Sequence, residues 1–284
     1  MTSRSSLGRR RRIGDGVGRC VAAACAIGAA GILLVIMGYI VREGIGSLSV
    51  AFLTQVPHPI GIAGGGVGNG IAGTIIMVGI AALMAFPVGI LVGVYLAMYS
   101  HQWLAQSLSF LADVLSGVPS IAIGIFAYVL LVAPFHHFSA LSASFAFAVL
   151  MLPIVIRATE SAIRLVPGEI REAAAALGAT EYHMTAAVLQ VARPGIVTGL
   201  LLALARVTGE TAPLLFTAFG SQFWEFNPNR PMAELSLQIF TYAISPYKSW
   251  HEQAWGGALL LVLAVFGLSV LGRLSLWRRS AIRH

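Results

Sequence analysis

Apolar residues run along this chain in long blocks, separated by short polar or glycine-rich stretches. The blocks fall at about 20–41, 71–98, 108–132, 141–156, 195–219 and 254–276. The first holds 22 residues. As a helix it rises about 33 Å, enough to cross a hydrocarbon core of about 30 Å. Lipid offers no partner to a backbone N–H or C=O, so each block predicts a helix. The whole predicts an all-α polytopic membrane protein with about six transmembrane helices. Pro87, Pro119 and Pro153 lie inside blocks, where neighbouring helices must cover the freed carbonyls.

Composition agrees. Hydrophobic residues make up 57% of the 284, charged residues only 10%, and the mean hydropathy is +0.84. A soluble domain carries about 25% charged residues, so this chain cannot cover itself in water. The net charge of +7 does not indicate nucleic acid, because the basic residues cluster beside apolar blocks, where they meet anionic headgroups. Six lie before residue 20 (Arg4, Arg9, Arg10, Arg11, Arg12, Arg19) and four close the chain (Arg273, Arg278, Arg279, Arg283).

With both termini inside, fourteen of the 18 basic residues lie on the inner side. Three (Arg42, Arg230, Lys248) lie outside, and Arg206 falls within a span. The positive-inside rule then predicts a multi-pass protein of a prokaryotic plasma (inner) membrane with cytoplasmic termini. Residues 1–19 and 277–284 become basic cytoplasmic tails, 20–41 a retained first helix, and 64–276 the main helical domain. The segment 220–253 becomes an external loop whose Trp224, Phe226, Tyr242, Tyr247 and Trp250 suit a membrane interface. A secretory signal is the rival for the first block, but signal cores run only about 7–15 residues.

Several motifs carry no chemistry. Gly68-Asn-Gly-Ile-Ala-Gly73 matches a dinucleotide fingerprint as a string, without the strand it requires. The sole lysine, Lys248, follows Tyr247, so there is no P-loop. Cys20 and Cys25 read as apolar helix residues, and the adjacent His136 and His137 point apart and lack a third ligand. No metal site and no catalytic residue is expected.

The segment 157–194 is the most informative connection. Pro167, Glu169 and Glu172 mark a helix start, four alanines continue it, and Gly178 suits a left-handed cap. Thr180 is an N-cap for a second helix that Pro194 is expected to limit. The four arginines here are balanced by Glu160, Glu169, Glu172 and Glu181, which excludes a DNA-reading helix-turn-helix.

Glu172-Ala173-Ala174, with Gly178 six residues after the glutamate, resembles the EAA loop of ABC-importer permeases. Asp113–Gly124, Leu152–Glu160 and Gly209-Glu-Thr-Ala-Pro-Leu-Leu-Phe-Thr217 resemble the PstA-type permeases of phosphate importers, as does Gly64–Tyr95. The likeness covers roughly residues 64–270. One departure is Gln190-Val191, where many relatives have Leu-Pro. The resemblance implies a type I ABC importer permease fold and an ATPase-coupling surface at Glu172, Ala173, Ala174, Gly178, Ala179 and Thr180. It implies a second, PstC-like permease, two PstB-like ATPase subunits and a PstS-like phosphate-binding protein as partners. ATP and Mg²⁺ are then used by the ATPase partner, and this chain binds no cofactor. Molybdate or sulfate as cargo, and a stand-alone secondary carrier, are the alternatives; the carrier usually shows inverted repeats, and none is evident.

Charge inside the spans points to the substrate path. A charge at mid-bilayer costs about 3 kcal/mol or more unless paired or lining a polar route. Arg206 and Glu210, four residues apart, are expected to share a helix face, with Thr208 and Thr211 beside them. Arg157 and Glu160 form a candidate second pair. For Asp113 a helix cap and a role in the path both stay open.

Overall fold

The computed structural model describes residues 3–59, 62 and 64–280, with side chains for 15–59, 62 and 64–272. Among these residues every regular element is helical. α1 (Ser3–Gly44) continues through a 3₁₀ turn (Ile45–Ser47) to the short α2 (Val50–Thr54) and then α3 (Gly68–Met98). α4 (Trp103–Gly117) and α5 (Ser120–Ala127) follow, and α5 runs through a π turn (Tyr128–Val132) into α6 (Ala133–Phe135). The rest comprises α7 (Ala140–Arg164), α8 (Gly168–Ala176), α9 (Glu181–Thr208), α10 (Leu214–Thr217), α11 (Leu235–Ala243) and α12 (Lys248–Ser280). Five helices are long and apolar enough to cross a membrane, and the bent pair from Trp103 to Phe135 counts as a sixth only if it is one span.

The core lies between α3 and α7. Met77, Ala81 and Ala85 of α3 meet Phe147, Met151 and Val155 of α7, with Ala203 and Val207 of α9 closing the third side. Small residues allow this approach, as expected where lipid supplies no hydrophobic drive and dispersion must hold helices together. A Cβ on Gly93 would lie 2.6 Å from Cβ of Thr159, and one on Gly199 would lie 2.2 Å from Cβ of Ala158. α1 stands apart: its apolar residues Ile32 to Ile36 are exposed. It meets the bundle near Gly44, which abuts Trp255 and Leu259, and through Tyr39, edge-on to Trp255 at 5.1 Å.

Three expectations need correction. The third apolar block is not one straight helix. α4 ends at Gly117 and the chain turns by 103° before α5. Pro119 has no N–H for the ladder and forces Val118 out of the helical region; Val118 (ψ 130°) and Pro119 (ψ 136°) are both extended. Second, Pro194 does not limit the second loop helix but sits inside α9. Third, the fifth span reaches only Thr208, not 219. Gly209 caps it, and α10 restarts after Pro213. The two breaks meet: a Cβ on Gly124 of α5 would lie 2.6 Å from Cα of Pro213.

Candidate functional site

The loop between α7 and α9 folds as its residues dictate. Glu169 sits in the first turn of α8, where a carboxylate suits the dipole. At the other end Gly178 takes φ +74°. Its N–H reaches Ala175 O at 2.9 Å, and the N–H of Ala179 reaches Ala174 O at 3.0 Å. That pair of bonds is a Schellman motif, which a residue with a Cβ would strain. Thr180 occupies the N-cap of α9, yet its hydroxyl makes no cap bond and instead lies 2.9 Å from Nδ1 of His183. Glu172, Ala173, Gly178 and Thr180 are exposed, Ala174 and Ala179 half-buried, and Leu177 is 89% exposed. The junction of α8 and α9 is thus an exposed knuckle that presents Leu177 beside the polar Glu172 and Thr180.

The candidate arginines differ sharply. Arg157, near the end of α7, is saturated. It pairs with Asp113 of α4 at 2.5 Å and with Glu160 at 2.6 Å, and donates to the carbonyl (2.8 Å) and hydroxyl (2.9 Å) of Ser109. Glu160, with 7% of its side chain exposed, also receives Arg164 at 2.7 Å. Two cations and two anions make this cluster formally neutral, beside a cavity of about 300 Å³ lined by Ser100, Gln106 and Asp113. Asp113 is therefore not a cap near a helix start. It lies in the last turns of α4 as a bridge to α7.

Arg206, in the last turn of α9, is exposed. Among the described residues no carboxylate lies within 4.0 Å of it to form an ion pair. The expected shared face with Glu210 does not form, because α9 ends before Glu210 and the chain turns there. The Glu210 N–H bonds Val207 O at 3.0 Å. Glu210 and Thr211 are half-buried in the turn between α9 and α10. Thr208 points elsewhere: its hydroxyl donates back to Leu204 O at 2.8 Å, and it lines an apolar groove with Ile75 and Leu260.

Sequence reasoning missed Glu234. It sits fully buried at the N-cap of α11 and accepts from the Leu237 N–H at 3.0 Å and the Ser236 hydroxyl at 2.6 Å. The available signal was Glu234-Leu-Ser-Leu-Gln, an acidic cap opening an apolar helix.

The sequence profile described as "Binding-protein-dependent transport system inner membrane component" matches residues 89–277. The phosphate transport system permease protein PstA of Yersinia pestis is 45% identical over 82% of this chain and 80% of its own. The protein of that name from Haemophilus influenzae is 44% identical over 83% of this chain and 84% of its own. A chain of the MetNI methionine ABC transporter in an inward-facing conformation superposes with a TM-score of 0.62 at 20% identity. It covers 74% of this chain and 94% of that one, which is a likeness of fold.

Proposed function

Because the chain belongs to the family of binding-protein-dependent transport system inner membrane components, we propose that it is the permease subunit of an ATP-driven phosphate importer and forms half of the translocation path. The observation that carries the cargo is the identity of 45% to a phosphate permease across four fifths of both chains. The chain itself has no P-loop, so ATP and Mg²⁺ act in a partner ATPase and transport here is not a catalytic step. A second permease completes the path, two ATPase subunits take the α8–α9 knuckles, and a phosphate-binding protein delivers cargo from the opposite face. The positive-inside count supports placing the termini and the knuckle in the cytoplasm.

The mechanism follows from the charges. Among the described residues Arg206 has no carboxylate partner, and it sits on a helix end beside a turn that carries Glu210 and Thr211. It lends a countercharge to a passing phosphate, while Glu210 keeps the anion from settling. Arg157 and Glu160 are already spent on each other and on Asp113 and Arg164, so they hold α4 against α7 at the edge of the path. ATP-driven closure of the ATPases moves the knuckles and rocks the permeases between inward and outward access.

Labelled-phosphate uptake, normalised to membrane level, tests this with Arg206→Gln, Arg206→Lys and the swap Arg206→Glu/Glu210→Arg. Arg206→Gln should lose at least about tenfold in rate, equivalent to roughly 1.4 kcal/mol of barrier. Arg206→Lys should keep part of it, and the swap should not restore it because the cation has left the helix end. Wild-type uptake by Arg206→Gln removes the arginine from the path.

A further inference from the structure

Glu234 and Glu160 are the two buried glutamates among the described residues, and their surroundings differ. Glu160 has two arginines. Glu234 has none. Around it α3 contributes Thr74, whose hydroxyl also reaches Gly70, and α11 contributes Ser236 and Leu237. Beside it Leu237, Gln238 and Tyr242 of α11, the turn at 219–222, Pro57 and Trp250 of α12 line a cavity of about 230 Å³. Of these residues only Tyr242 titrates, and burial pushes its phenol up. Among the described residues no cation pairs with the carboxylate.

The hydrogens can be counted. Oε2 of Glu234 accepts from the Ser236 hydroxyl and from the Leu237 N–H. Oε1 faces Thr74 Oγ1 at 3.2 Å. That hydroxyl oxygen already accepts the Leu235 N–H at 3.0 Å and lies 2.8 Å from the Gly70 carbonyl four residues back. A threonine hydroxyl has one proton, and the shorter, helix-directed bond to Gly70 takes it. Two oxygens are then left facing each other, and the contact is a bond only if Glu234 brings a proton of its own.

We propose that Glu234 is a proton-binding site: on the acid side of neutrality it is the carboxylic acid, donating from Oε1 to Thr74 Oγ1 and so fastening α11 to α3. Burial pushes its pKa up to about 7, consistent with that count. The cavity beside it has room for several waters, which give the proton a route. Ionisation turns the bond into a repulsion between oxygens and loosens α11, and with it the turn from Phe219 that shares the cavity. A carboxyl whose folded pKa is raised binds more protons folded than unfolded. Its stabilisation is complete below the unfolded value and is lost as pH rises through about 7.

The test uses the permease purified with its co-expressed partners. Glu234→Gln imitates the neutral acid, since its amide N–H can donate to Thr74. Between roughly pH 6 and pH 8 the wild type should lose about 3–5 °C in unfolding midpoint relative to Glu234→Gln, whose own profile lacks that component. Infrared spectra should show a protonated-carboxyl C=O band in the wild type that titrates near neutrality and is missing from Glu234→Gln. Parallel pH profiles, a variant less stable than wild type at the acid end, or failure of Glu234→Gln to accumulate would each overturn the proposal. None of these readouts depends on phosphate transport, so the proposal stands or falls apart from the assigned cargo.

Discussion

Replacing Arg157 with glutamine separates a structural arginine from a transporting one. The magnitude follows from its partners. Asp113 keeps 66% of its side chain exposed, and a pair that open to solvent is worth about 0–1 kcal/mol. Glu160 is 7% exposed, and a charge-assisted bond to so buried a group is worth about 1.5–3 kcal/mol. The usual penalty for orphaning a buried charge, about 3–5 kcal/mol, is not reached, because Arg164 still holds Glu160 at 2.7 Å. The expected loss is about 2–4 kcal/mol, nearly all of it at Glu160. Thermal unfolding of the purified complex measures it, and double-mutant cycles apportion it. Coupling of Arg157→Gln with Glu160→Gln should exceed its coupling with Asp113→Asn. Uptake, corrected for folded protein, should fall far less than in Arg206→Gln. An Arg157→Gln protein that is fully stable yet cannot transport would falsify the assignment and return Arg157 to the substrate path.

Gly178→Ala and Gly178→Trp should carry the same modest folding cost of about 1–2 kcal/mol for a left-handed residue with a Cβ. Nothing lies within 4 Å of the new atom, so a further loss of ATP coupling in the tryptophan variant reports a partner seated there, and normal transport by it argues that none is. Gly199→Ala should lower the yield of monodisperse permease in detergent by a destabilisation of about 1–3 kcal/mol, since its Cβ meets Ala158 at 2.2 Å. Gly79→Ala, with open space around it, should not lower the yield, and equal behaviour of the two would refute the packing argument.

The apolar blocks made the order of the long helices legible, because burial in lipid leaves long runs that no soluble helix needs. Local chemistry also read through: the glycine cap at Gly178 and the acidic start of α8 appear as expected. The break at Val118–Pro119 was written in Gly-Val-Pro-Ser, a stop followed by a restart, but hydropathy averages across it. Pro194 misled in the opposite direction. Proline removes one N–H, and packing of α9 on α7 through Gly195 and Gly199 holds the helix together across the gap. The site partners were least legible. Arg157 finds Asp113 across 44 residues and Glu234 finds Thr74 across 160, and no spacing rule reaches that far. The assumed pairing of Arg206 with Glu210 failed for a local reason, since Gly209 ends the helix between them.

The misread proline changes what the fold can transmit. Had the loop's second helix stopped at Pro194, motion at the knuckle would have crossed a flexible joint before reaching the span. Instead Glu181 and Arg206 lie on one helix, about 38 Å apart along its axis. On the proposed reading, a displacement of the α8–α9 junction arrives at Arg206 along one unbroken helix. At its far end α9 is released by Gly209, and the turn beyond rests on α5 through Gly124 and Pro213. α5 is itself freed from α4 by the 103° bend. Thus α9 ends where the turn after Gly209 meets the bent α4–α5 pair, and on the same reading its motion would change the setting of Arg206 against Glu210 and Thr211. On the proposed reading, the cation that meets phosphate sits at the point of the chain where a push on the cytoplasmic loop is converted into rearrangement.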